Sequence, residues 1–149
     1  MIKTDSAYNA AVKRLREDRL HIEAKRQALI EEGLDSDQVS RVLEAEISFH
    51  LQLREEVEWY ESVRRGDFQA VTSLQDIGRL LIALRIASGM SQRDMAALLG
   101  VHESQVSRDE RNEYYGITAQ RAQEIIDTLK GKIEIIVRPH AEERELQMA

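Results

Sequence analysis

No cysteine occurs in the 149-residue chain. That excludes a disulfide framework, cysteine-liganded zinc and a thiol nucleophile. One proline, seven glycines and no Ser/Gly/Pro-rich tract leave little punctuation, which suits a mostly helical, well-ordered protein. No apolar run approaches the roughly 18 residues of a membrane span. The opening MIKTDSAYNAAVKRLRED has no apolar signal core, so a soluble cytoplasmic protein is expected. The four histidines, His21, His50, His102 and His140, lie too far apart for a local metal motif. No Ser/His/Asp order, glycine-rich phosphate loop or His-Glu-x-x-His site is present. No enzyme, metal or cofactor is indicated.

A basic surplus is also missing: the net charge is −6. The deficit is uneven. Residues 1–70 carry 11 basic and 15 acidic groups, whereas residues 71–138 carry nine of each. The acidic N-terminal half suits protein contacts better than nucleic acid. In the neutral C-terminal half the field depends on how the charges are arranged.

What is present is helical periodicity. Tyr8, Val12, Leu15, Ile22 and Leu29 recur at three- and four-residue steps, with Arg19 and Arg26 interrupting the seam, and predict one helix over 5–32. Gly33 is placed to end it. Asp35 and Gln38 form a capping box bracketed by a Leu34/Val39 staple, and open a second helix that runs to about Arg65. Val39, Val42, Leu43, Phe49, Leu53, Val57 and Tyr60 share its broad apolar face, with His50 in the middle, while Trp59 points elsewhere. The two helices predict an antiparallel hairpin over 1–66, followed by a connector over 67–73.

A second helical set occupies 74–131. Leu74–Ala87 is strongly apolar and stops at Gly89. Ser91 and Asp94 cap Gln92–Leu99, with Met90 and Met95 as staple. His102 caps Glu103–Arg111, and Thr118 caps Ala119–Lys130. Lys132–Val137 alternates, is β-branched and is closed by Pro139, so it predicts one short strand over 132–138. A lone strand leaves its backbone unpaired. Its partner is expected to be the same strand of a second copy, through Ile133, Ile135 and Val137; the alternatives are pairing with Gln69–Ser73 of the same chain, or a frayed tail. Residues 139–149 are expected to form a flexible tail. The fold class is all-α: a helical hairpin, a compact helical domain and this single strand.

Glu103–Arg111 is the most informative stretch. It has one sizeable apolar side chain, Val106, among Glu, Ser, Gln, Arg and Asp. A helix with one inward anchor and a polar remainder sits on a surface. Joined to Gln92–Leu99 by the tight Gly100–His102 turn, it has the spacing of a helix-turn-helix, whose second helix fits the major groove of B-DNA. Arg108 suits guanine O6 and N7, Glu103 suits cytosine N4, and Ser104 serves either strand. Gln92, Arg93 and Arg111 would hold phosphates and set register. His102 adds a possible contact to phosphate or base.

The run SQRDMAALLGVHESQVSRDERNEYYGITAQRAQEIIDTL resembles the helix-turn-helix of the Xre (Cro/C1, phage-repressor-like) family over about residues 74–130, with Gln92, Ala96, Gly100, Val106 and Glu110 in register. The resemblance implies a five-helix DNA-binding domain. It places Glu103, Ser104 and Arg108 at base edges and Gln92 and Arg111 at phosphates, with Arg85 and Glu110 as a buried ion pair. The expected function is a homodimeric, sequence-specific transcriptional regulator, most simply an autorepressor on double-stranded DNA. The alternative is an antitoxin-like protein that grips a toxin through the hairpin or the C-terminal strand. A third reading makes the hairpin an oligomerisation module.

Overall fold

The computed structural model describes residues 1–139. The tail expected over 139–149 lies outside them from His140 onward. Every α-helix start but one, which continues from a capped 3-10 turn, is marked by a side chain that satisfies an otherwise orphaned backbone N–H. Thr4 accepts from Ala7 to open α1 (Asp5–Glu31). Asp35 and Gln38 exchange both bonds of a capping box at the start of α2 (Ser36–Arg64). After the connector, Ser73 starts a single 3-10 turn, Leu74–Asp76, that runs directly into α3 (Ile77–Ala87). Ser91 and Asp94 box the start of α4 (Gln92–Leu99). There the Ser91 hydroxyl and backbone N–H both donate to the Asp94 carboxylate and hold its pKa below the usual range. His102 and Thr118 open α5 (Glu103–Arg111) and α6 (Ala119–Thr128).

α1 and α2 pack antiparallel, and the half-buried Tyr8, Val12, Leu15, Ile22 and Leu29 follow the expected seam. Two residues of the expected α2 face turn out differently. Phe49 is 73% exposed and Val42 is 46% exposed. A two-helix hairpin has room for one narrow seam, and a stripe as wide as that of α2 cannot all face a single partner helix. Leu43 and Val39 take the seam at the loop end instead, and Val57, Tyr60 and Val63 take it at the root.

At the root the hairpin joins the main core. Val57, Tyr60, Val63, Ala11 and Ile2 belong to the same buried cluster as Leu81, Ile82, Ile86, Met95, Val106, Ala122, Ile125 and Ile126. Trp59 packs half-buried against that cluster. The Tyr8 and Tyr60 rings stack with centroids 5.1 Å apart. The Tyr60 hydroxyl donates to Asp5 at 2.7 Å. Burial first, then that bond to a carboxylate, pushes the Tyr60 pKa up to about 12.

Among the described residues there is no β-strand. Lys132–Val137 runs as irregular backbone, without the strand expected from its alternation, and makes no backbone–backbone hydrogen bond to another described residue. A strand exists only through its ladder, and Gln69–Ser73 does not pair with this segment although both line one groove. Alternation and β-branching give a readiness to extend; a ladder needs a second edge, which the described residues do not offer.

Candidate nucleic-acid interface

α4 ends at Gly100, whose φ of 67° lies in the left-handed region that a side chain disfavours. The amide of Gly100 bonds back to Ala97 and that of Val101 to Ala96, so the chain reverses within one turn. His102 then caps α5: its Nδ1 accepts from the Ser104 backbone N–H at 3.2 Å, and the Ser104 hydroxyl lies 2.9 Å from the same nitrogen. The imidazole thereby orients Ser104 at the first turn. Ala96, 2% exposed, lets α4 and α5 approach closely, and Val106, also 2% exposed, is the anchor of α5 in the core.

The outer face of α5 carries His102, Glu103, Ser104, Arg108 and Arg111, all exposed. Arg93 is exposed at the start of α4. Glu103 places negative charge at the helix N-terminus, while Arg108 and Arg111 place positive charge near its C-terminus, which suits the helix dipole. Asp109 is half-buried and accepts from Gln105 at 2.8 Å, one turn earlier. Gln92 is turned partly inward, donating to the Glu110 carboxylate at 2.7 Å. One of its two amide hydrogens is therefore already used within the protein.

Beneath the exposed face lies a polar knot in the core. Arg85 is 2% exposed and Glu110 is fully buried. Arg85 Nε donates to Glu110 Oε1 at 2.5 Å and Nη2 to Oε2 at 2.8 Å, the bidentate geometry that a guanidinium favours. The rest of the guanidinium is used as well, Nη1 donating to the Met90 carbonyl and Nη2 to the Lys3 carbonyl. Burying two charges is costly unless such bonds compensate. Here they do, and the result ties α3, α4 and α5 into one rigid block.

Lys3 completes the knot from the far end of the sequence. Its Nζ donates to the Glu110 backbone carbonyl at 2.7 Å, near the C-terminal end of α5, where a cation opposes the negative end of the helix dipole. Ile2 beside it is buried. No sequence periodicity links residue 3 to residue 110, and only the folded chain brings them together.

After α5 the chain turns through Glu113 and Tyr114, both with positive φ near 50°. Tyr114 is buried there; that burial first, and the nearby Glu110 carboxylate second, raise its pKa. Gly78 of α3 faces this turn. A β-carbon at position 78 would stand 1.8 Å from the Glu113 carbonyl oxygen, so only glycine permits the approach.

Two short helices joined by a left-handed turn, the second exposed on one face and pinned on the other, make this a helix-turn-helix domain. Residues 81–136 match the family described as helix-turn-helix, and the domain is of the Cro/C1, Xre-like type. That family is one of DNA-binding regulatory domains, and the match supports a general role in DNA-binding transcriptional regulation for the domain at residues 81–136. No curated protein and no solved structure matches the chain. No helix among the described residues is long and apolar enough to cross a membrane.

Proposed function

We propose that the chain is a homodimeric, sequence-specific repressor that inserts α5 into the major groove of its operator. The observation that carries this reading is the division of α5 into two faces. Val106 and Glu110 are locked in the core, while Glu103, Ser104 and Arg108 stand in solvent on a helix held rigid at both ends. Rigid presentation matters because base readout depends on hydrogen-bond geometry. Arg108 reads guanine, Glu103 accepts from cytosine N4, and Ser104 and His102 act at the first turn. Arg93, Arg111 and the remaining amide hydrogen of Gln92 hold phosphates. Two copies would present their α5 helices about 34 Å apart, in successive major grooves of a pseudopalindrome.

The test is an unbiased binding-site selection followed by a footprint on DNA upstream of the protein's own gene. A palindromic site is expected, and Arg108→Ala should lose roughly 1–3 kcal/mol of discrimination at one base pair of each half-site. Equal retention of random DNA at low salt, unchanged in Arg108→Ala, would sink the reading.

A second reading, a toxin-neutralising protein whose DNA binding is autoregulatory, draws on the hairpin. Phe49 and Leu20 lie exposed in the middle of an acidic pair of helices. Co-purification of the product of an adjacent gene, lost in Phe49→Asp, would favour it.

A further inference from the structure

Phe68, Val71 and Leu74 lie exposed on one wall of a groove of about 730 Å³, and Lys132–Arg138 forms another part of its lining. The floor is apolar, made by Ile77, Leu80 and Leu84 of the α3 helix. Ile135, Ile136 and Val137 are exposed at 64%, 73% and 87%. Three consecutive β-branched residues in solvent, on a segment whose backbone bonds to no other described residue, form an open pairing edge. The first of the alternating residues, Ile133, already packs partly buried against the core.

We infer that the occupant of this edge is the same segment of a second copy, paired antiparallel with the two-fold axis at Ile136. The inference rests on the homodimer proposed above and names its interface. Its argument is the charge pattern. An axis at Ile136 sets Ile136 against its own copy, Ile135 against Val137, and Glu134 against Arg138. Opposite charges then face each other on both sides of the axis. An axis at Ile135 sets Lys132 against Arg138, and an axis at Glu134 sets that carboxylate against itself; both juxtapose like charges, which directly opposite positions disfavour. An axis at Ile133 would pair Lys132 with Glu134, but that ribbon stops after three residues. Beyond Lys132 the chain is still turning off the last helix, with Lys130 at φ 55°.

The Ile136 register also sorts the faces. Side chains alternate along a strand, so Ile133, Ile135 and Val137 of both copies share the face opposite Ile136. That face covers the apolar floor of the groove. The exposed Lys132–Glu134 ion pair within one chain does not compete strongly, because both partners are well solvated.

The absence of native cysteine makes the test clean. In the full chain, Ile136→Cys should oxidise to a symmetric disulfide-linked dimer in high yield, whereas Lys132→Cys should not. Glu134→Arg and Arg138→Glu should each weaken dimerisation by about tenfold in sedimentation equilibrium, since two symmetry-related pairs become repulsive. The combined swap should restore the affinity to within a few-fold, which a merely unfolded variant could not do; helicity by circular dichroism checks each variant. A parent protein that is monomeric at all concentrations defeats the homodimer itself. A dimer indifferent to both charge reversals, or cross-linked equally well through Lys132→Cys, leaves the homodimer standing and overturns this interface.

Discussion

The hairpin and the helix-turn-helix domain spend their residues very differently. α1 and α2 run for 27 and 29 residues and bury six between them. α3 alone buries six within 11 residues. The hairpin is anchored at its root, where it shares the main core, and has a separate pair, Val39 and Leu43, near its loop. Between those points it relies on half-buried seam residues and on the ionic contact of Lys25 with Glu46 across the two helices, while Arg54 and Glu58 pair only within α2. Long helices can persist on so little packing because their backbone bonds are internal, whereas the short helices α4 and α5 are too brief to stand alone and need the core. The difference assigns the denser packing to the helix-turn-helix end and the sparser packing to the hairpin.

Substitutions graded by their cost test that contrast. The largest effect is expected at the buried ion pair. Glu110→Gln keeps the shape but leaves Arg85 charged and uncompensated in the core, which should cost about 3–5 kcal/mol in denaturant unfolding. Loss of under 1 kcal/mol would mean that Arg85 finds water, and the rigid block would be an illusion. Next comes Gly78→Ala, where the added methyl group meets the Glu113 carbonyl. A loss of about 1–3 kcal/mol is expected, with DNA affinity falling too because the end of α5 is displaced. The smallest effect belongs to the hairpin. Arg54→Ala breaks an exposed one-turn pair at 3.4 Å and should change stability by less than about 0.5 kcal/mol. If the hairpin variant proved as damaging as the Gly78 variant, the two regions would not differ as described.

Much of the helical layout could be read before any coordinates. The capping boxes at Asp35 and Ser91, and the glycines at 33 and 100, act through neighbours three or four residues away, so a linear reading captures them. The exposed face of α5 was legible for the same reason, since nine residues with a single large apolar side chain offer the core one apolar anchor; the second buried residue, Glu110, is held by Arg85 of another helix. Other features were not legible. The over-wide apolar face expected for α2 failed because periodicity tells which residues share a side, not whether a neighbour is wide enough to cover them. The strand at Lys132–Val137 failed because pairing belongs to two segments, and the described chain supplies one. The inward turn of Gln92 could not be read either, because its partner Glu110 lies on another helix.

Local chemistry, then, decided where helices begin and end, which segment carries a nearly coreless polar helix, and which stretch is prepared to extend. Those outcomes depend on hydrogen bonds and side-chain volumes within a turn or two of chain. Tertiary structure decided the rest: the seating of Lys3 under the end of α5, the closure of Arg85 around Glu110, and the approach of Gly78 to the turn at Glu113. These contacts join residues separated by 25 to 107 positions. The buried polar contacts hold because several groups satisfy one another's hydrogen bonds at once, which offsets the cost of removing them from water, a condition that no single stretch of sequence can express.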